Sequence, residues 1–436
     1  MASVVARWEE SPRPLLDFVQ YDEHSVVGVT MLLTKAVIDK GERMLRSDQM
    51  VEFTPQQLHC ITQRLTTEAP TYDTSSKNPA SDIGHLFDFV HQVKKLKVQS
   101  IAGDTTNEVV VGAKGGFIFD LSIFKSLEVL ALHEVDPALI RGIEGIQPQL
   151  RKLTVHFCAN PLQTVLVTSD LWNISSGSGS YMPDVCGNAP CWTSLKYANL
   201  RCNEIKTIDP AIRLLVNVVT LDLSQNLITE IENLDIPQLM ILNLSNNRIS
   251  SLVGIESKLG NVANLNLSHN RIKSLDGIGR LYSVLKLDVS MNAISDLQSL
   301  RGLGRLPCLE SLKLEDNPIA TMKQYRQIIV GIMQLDVLKQ LKFDGIQVTK
   351  KEMCDLEKFR ALALSVIGPG ESSSPAPTPV QSRESRLVQL RSDNSRAAVT
   401  TVVESVEGNS ETSGSRSGEL ESCCICQLVE PTERKA

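Results

Sequence analysis

Between Leu195 and Met322 the apolar positions fall into one short phrase that recurs six times. Its first half alternates apolar and polar residues and ends on asparagine. The copies are Ala198-x-Leu200-x-x-Asn203, Leu221-x-Leu223-x-x-Asn226, Leu242-x-Leu244-x-x-Asn247, Leu265-x-Leu267-x-x-Asn270, Leu287-x-Val289-x-x-Asn292 and Leu312-x-Leu314-x-x-Asn317. Successive asparagines stand 23, 21, 23, 22 and 25 residues apart. Behind each, two more apolar positions keep register: Ile205 and Ile208, Ile228 and Ile231, Ile249 and Leu252, Ile272 and Leu275, Ile294 and Leu297, Ile319 and Met322. Alternation over so short a run predicts a strand with its leucines toward a core and the intervening residues on the opposite face. The asparagine predicts the strand end, its amide bonding backbone groups of the following turn.

One such unit cannot bury its apolar side alone, so the copies must stack. Period and spelling match the leucine-rich repeat, and stacked copies predict an asparagine ladder inside the array. The expected fold is therefore α/β: a leucine-rich-repeat solenoid with a parallel sheet on its concave face. An N-terminal helical segment, a C-terminal cap and a disordered tail complete the expected architecture. Such a face binds other molecules more readily than it catalyses.

The rest of the chain divides around this array. Residues 1–14 are polar and proline-bearing, and are expected to be disordered. Residues 15–80 predict a helical segment followed by a polar loop: Val29, Leu32, Leu33, Ala36 and Val37 share one helical face, and Thr54-Pro55 starts a second helix. Residues 81–167 hold divergent repeats at Leu96-x-Val98, Leu130-x-Leu132 and Leu153-x-Val155, with Val135 and Cys158 in the asparagine position of the last two. Gly-rich Gly103 to Phe117 predicts an excursion, and 168–191 a loop insertion. Residues 192–322 are the six regular repeats. Residues 323–366 predict a cap: a helix around Tyr325–Val330, a last strand turning at Asp344-Gly345, and a helix from Lys350 to Val366. The Ser-rich stretch 367–436 has no aromatic residue and is expected to be disordered.

Composition narrows the function. A net charge of −6 argues against general nucleic-acid binding. No run of about 18 apolar residues predicts a membrane-spanning helix. The first residues lack a signal-peptide apolar core, and the ten cysteines form no full disulfide cluster, so the chain is expected to be cytosolic. Cys202 and Cys308 are expected to be buried thiols, and Cys423, Cys424 and Cys426 lack a second ligand pair at zinc spacing. Val110 to Gly116 lacks the spelling of a phosphate loop. The seven histidines are scattered, and His85, His133 and His156 are expected to be solvated or satisfied residues. No catalytic set, cofactor or metal site is expected. Candidate contacts are the side chains projecting from the predicted concave face: Tyr197, Asn199, Arg201, Asp222, Asn243, Asn266, Lys286, Asp288, Lys313 and Glu315. About ten strands at about 4.8 Å give a groove of roughly 45 Å, suited to an extended peptide or a helix.

Residues outside the repeat spelling carry a resemblance. Asp82 to Phe89, Lys95 to Val98, Asp120 to Leu127, Leu259-Gly260-Asn261 and Gly304-x-Leu306-Pro307-Cys308-Leu309-Glu310 are similar to segments of nischarin-like proteins, over roughly residues 15 to 360. Those proteins begin with a phox-homology domain; here residues 15–45 resemble only its final helices, without its basic phosphate-binding strands. The resemblance implies a non-catalytic signalling scaffold, cytoplasmic or endosome-associated, with integrin tails, Rac or Rac-effector kinases as partners. Two other readings stay open: a regulatory subunit of a Ser/Thr protein phosphatase, built from near-22-residue repeats, and a ciliary or cytoskeletal adaptor. A short isoform or a partial chain also fits the missing parts.

Overall fold

The computed structural model describes residues 26–47, 49–67, 83–100, 116–158, 161–166 and 192–368. The expected disorder of 1–14 and of the tail beyond 368, the 168–191 loop and most of the Gly-rich excursion lie outside these residues.

The described chain opens with helix α1 (Val26–Arg46), which buries Val29 and Leu33 against α2 (Pro55–Thr67) and α3 (Gly84–Gln92). Thr54 caps α2 as its spelling predicts. The Gln57 amide donates to Thr54 Oγ1 at 3.2 Å, and the Thr54 amide donates to Gln57 Oε1 at 3.0 Å. One element of this segment departs from the helical expectation. Val51–Phe53 is strand β1, and it starts the large sheet with Val51 and Phe53 buried.

Eleven further strands follow: β2 (Lys95–Gln99), β3 (Val129–His133), β4 (Lys152–His156), β5 (Tyr197–Asn199), β6 (Thr220–Asp222), β7 (Ile241–Asn243), β8 (Asn264–Asn266), β9 (Lys286–Asp288), β10 (Ser311–Lys313), β11 (Lys342–Phe343) and β12 (Ile346–Gln347). They lie in chain order, all pairs parallel except the closing β11–β12 hairpin. Register is constant. Leu96, Leu130, Leu153, Ala198, Leu221, Leu242, Leu265, Leu287, Leu312 and Phe343 form one continuous buried row. The fold is a leucine-rich-repeat solenoid, and the divergent repeats belong to it.

The asparagine ladder is present. Each side-chain oxygen accepts from the preceding repeat: from Ile205 to Asn226 at 3.1 Å, Ile228 to Asn247, Ile249 to Asn270, Ile272 to Asn292 and Ile294 to Asn317 at 3.0 Å. Each of these amides donates back to a carbonyl of that preceding repeat, such as Leu200 for Asn226 and Leu223 for Asn247. Beside the ladder runs a column of left-handed residues, Glu134, Phe157, Cys202, Gln225, Asn246, His269, Met291 and Asp316, with φ between 53° and 59°. On the return side short 3₁₀ segments replace longer helices. Gly279 and Gly302 let two of them touch, since a Cβ on Gly279 would lie 2.9 Å from the Gly302 Cα.

The C-terminal end closes as the sequence predicts, with Asp344 taking the ladder's place. Its carboxylate accepts from the Leu314 amide at 2.7 Å and from the Tyr325 hydroxyl at 3.0 Å. Helix α4 (Tyr325–Ile332) packs on α5 (Leu356–Ile367). The helix expected over 350–366 is split at Asp355 into Lys350–Cys354 and α5. Arg301 donates to the Ile367 and Gly368 carbonyls at 2.6 and 2.7 Å, tying the last helix end to the return side.

Candidate functional site

The residues between the buried row and its neighbours face away from the core, and parallel register aligns them across strands. One outward row reads Lys95, Val129, Lys152, Tyr197, Thr220, Ile241, Asn264, Lys286 and Ser311. The next reads Glu52, Lys97, Ala131, Thr154, Asn199, Asp222, Asn243, Asn266, Asp288 and Lys313. All ten residues singled out from sequence lie on this face or at its strand ends.

They do not all do the same thing. Five of them close the turn after their own strand by accepting the amide two residues on: Asn199 from Arg201, Asp222 from Ser224, Asn243 from Ser245, Asn266 from Ser268 and Asp288 from Ser290, at 2.9 to 3.2 Å. This is an Asx-type turn, so the short polar residue between the leucines is explained by backbone chemistry. Lys313 lies 3.5 Å from Asp288, and Lys286 and Glu315 are exposed. Tyr197 and Arg201 belong to a different group.

That group occupies β2 to β5. Lys152 Nζ stands 4.6 Å from the centre of the Tyr197 ring. His156 Nε2 is 3.1 Å from Asn199 Oδ1, and the His133 and His156 rings meet edge-on at 4.8 Å. Lys95, Lys97 and Arg201 surround them, with Lys97 3.0 Å from Glu52 on β1. Phe157 follows directly, 61% exposed on a left-handed backbone. Lys95, Lys97, His133, Lys152, His156 and Phe157 are absent from the sequence-derived set. Their signal was the L-x-L dipeptide of the divergent repeats, whose alternation puts Lys95, Lys97, His133, Lys152 and His156 outward once those strands join the sheet, with Phe157 in the turn that follows. Cys202 departs from the buried-thiol expectation: it is half-buried and 2.7 Å from Gln225 Oε1, whereas Cys308 is buried.

Burial pushes the His133 imidazole down to about 4, and neighbouring His156 and Lys97 act in the same direction. Burial also lowers His156, against the opposing pull of its bond to Asn199. Lys152 is lowered by burial first and by repulsion from Lys95 second, and Tyr197 is raised chiefly by burial. His133 therefore folds as a neutral ring, whereas in the unfolded chain it takes up a proton near pH 6.5. Between about pH 6.5 and about pH 4 the unfolded state binds more protons, so stability falls as pH falls through that window. The His133 shift corresponds to roughly 3 kcal/mol, cut to about 1–2 kcal/mol by solvent screening at a half-buried ring. His133→Gln is expected to flatten the melting temperature against pH between about 6.5 and 4.5. Parallel curves for the two proteins would show that this histidine does not set the slope.

Among the described residues no three His, Cys, Asp or Glu side chains gather as a metal-holding group. No helix in them is long and apolar enough to cross a membrane.

No family model matches the chain. It is 28% identical over 279 residues to the serine/threonine-protein kinase 11-interacting protein of Gallus gallus, matching 63% of this chain and 24% of that protein. The chain thus spans about a quarter of the length of this relative. Among solved structures, an internalin (inlF) from Listeria monocytogenes matches 60% of this chain and 69% of its own at 18% identity, with a TM-score of 0.39. A chain of the Drosophila melanogaster SNF/U2A′ complex matches 38% of this chain and 84% of its own at 26% identity, with a TM-score of 0.27.

Proposed function

We propose that the chain is a non-catalytic protein–protein interaction scaffold that recruits a signalling partner through the concave face of its sheet. The observation that carries this is the long row of outward polar and charged side chains on a parallel sheet whose other face is wholly apolar. A solenoid of this kind holds its binding face rigid, because each strand is fixed by neighbours on both sides. The residues resembling nischarin-like proteins support a narrower reading, with integrin tails, Rac or its effector kinases as partners in the cytoplasm or at endosomes. The chicken relative is itself named for interacting with a serine/threonine kinase, and that supports a kinase-linked partner.

Photo-crosslinking in cell lysate tests the face directly. The full chain would carry a photoreactive residue at Thr220 or Asn264 on the sheet, or at Val253 on the return side. A discrete partner captured from the first two positions and not the third is the expected outcome. Capture from Val253 alone would move the function off the sheet.

A further inference from the structure

Aspartate and asparagine do the same work in the turns after β6 to β9. Asp222, Asn243, Asn266 and Asp288 each accept, through Oδ1, the amide two residues on, at 2.9 to 3.1 Å. The turn needs that one acceptor oxygen and nothing more. The other half of each side chain is left over, and there the two residue types differ. A carboxylate leaves a second acceptor, whereas a carboxamide leaves an NH2 donor. The choice between them is therefore neutral for the turn, and it sets what the outward face of the sheet offers.

Across the four strands the leftovers read acceptor, donor, donor, acceptor. The two acceptors are not equivalent. Asp288 Oδ2 lies 3.5 Å from Lys313, whereas Asp222 has no ion pair among the described residues. The Nδ2 groups of Asn243 and Asn266 likewise have no partner among them. Lys286, one outward position over on β9, is exposed and also without an ion pair there. Strands β7 and β8 contain no ionisable residue. An uncharged stretch, with half-buried Ile241 in it, is thus bounded by Asp222 on one side and Lys286 on the other. Interfaces are built this way, because a neutral donor sheds its water at lower cost than a charge, and charges belong at the rim.

We infer that β6–β9 is the docking site for a helix of a partner protein that lies across the strands. It places a lysine or arginine over Asp222, acceptor side chains such as glutamine over Asn243 and Asn266, and a carboxylate over Lys286. This rests on the scaffold reading above. Spacing selects the helix. Strands about 4.8 Å apart put the three later positions about 4.8, 9.6 and 14.4 Å beyond Asp222. One stripe of a helix, at residues i, i+3, i+7 and i+11, rises by about 4.5, 10.5 and 16.5 Å. The first two steps agree to about 1 Å, and the long lysine side chain spans the difference of about 2 Å at the last. An extended segment shows one face every second residue, at about 6.6 Å, and is already out of step by about 3.6 Å at Asn266. The positive end of the helix dipole faces Asp222, which fixes its direction, and a leucine at i+4 falls over Ile241.

The test uses the full chain, fluorescently labelled, on a panel of 18-residue alanine-based helical peptides. Leucine is fixed at i+4, and lysine, glutamate, glutamine or leucine is placed at i, i+3, i+7 and i+11. The strongest binders are expected to carry lysine at i, glutamine or glutamate at i+3 and i+7, and glutamate at i+11. Asn243→Asp with Asn266→Asp keeps both turn oxygens, so the melting temperature should hold. The original binders should nonetheless weaken by about tenfold or more, with the preference at i+3 and i+7 moving to lysine. Asp222→Asn should move the preference at i from lysine to glutamine or glutamate. If the double variant melts lower, Asn266→Asp alone carries the test. The inference is overturned if no peptide binds, or if the variants keep the original preferences. It is equally overturned if the same residues, set two apart in a proline-flanked extended peptide, bind as well as the helix. Continued crosslinking from Thr220 or Asn264 alongside any of these would leave the scaffold reading standing and sink only this one.

Discussion

Leu265→Asp is expected to abolish cooperative folding of the central repeats. Leu265 is 2% exposed in the row between Leu242 and Leu287, with apolar neighbours from three repeats. A carboxylate there has no partner and cannot be hydrated without parting the strands. Loss of the leucine side chain costs about 2–5 kcal/mol, and an uncompensated buried charge adds several more. Because a solenoid's stability is close to a sum of repeat and interface terms, the damage is expected to centre on β7–β9 and spread outward. Circular dichroism and thermal melting check it. An unchanged melt would mean that Leu265 does not face the core.

Asn226→Leu is expected to be nearly as damaging, although it adds apolar surface to the interior. Asn226 is 4% exposed, and its oxygen accepts from the amides of Asn203 and Ile205 at 3.0 and 3.1 Å. Its amide donates to the carbonyls of Leu200, Leu223 and Ser224. Leucine has similar bulk and can serve none of them. Each buried group left unsatisfied costs about 1–3 kcal/mol, so a total of roughly 3–5 kcal/mol is expected after partial relief by water. Hydrogen exchange gives the sharper test, because Asn203 and Ile205 lose the acceptor of their amides. Accelerated exchange should appear at those two positions first, in the repeat before the substitution. Exchange that rose only in the substituted repeat would contradict the direction of the ladder.

These two residues also show why so much of the fold could be read from the chain. Leu265 and Asn226 belong to a phrase repeated six times, and each copy solves the same problem of burying one face and ending one strand. Repetition converts a weak local signal into a register. Where it lapses, so does legibility. Val51-Glu52-Phe53 is a strand only because Leu96 and Val98 lie beside it, and three residues between two helical stretches carry no period of their own. The split at Asp355 is equally local, since helical spelling continues on both sides of it.

The outward face of the sheet was legible in position and not in chemistry. The sequence picks out Asn199, Asp222, Asn243, Asn266 and Asp288 because they sit between leucines. It does not show that each spends an oxygen on its own turn. Lys95 and Lys152 stand in repeats that lack the asparagine marking the others, and His133, read as a solvated or satisfied residue, carries no sign in the sequence of the ring it meets. The meeting of His133 with His156 depends on strands 23 residues apart falling into register.

The ladder's direction has a consequence for how the protein is made. Ile205, Ile228, Ile249, Ile272 and Ile294 each hand their amide to an asparagine in the following repeat. A ribosome delivers the chain in the opposite sense, so every turn emerges before the residue that completes it. Folding on the ribosome must therefore trail synthesis by at least one repeat, about 1–5 s at ordinary elongation rates. The Cys158 amide waits longer still, for Asn203, 45 residues downstream, and at the other end of the array the Leu314 amide waits for Asp344, 30 residues downstream. Until that carboxylate clears the exit tunnel, the growing end of the array is an open sheet edge, the form in which a nascent chain most needs a chaperone.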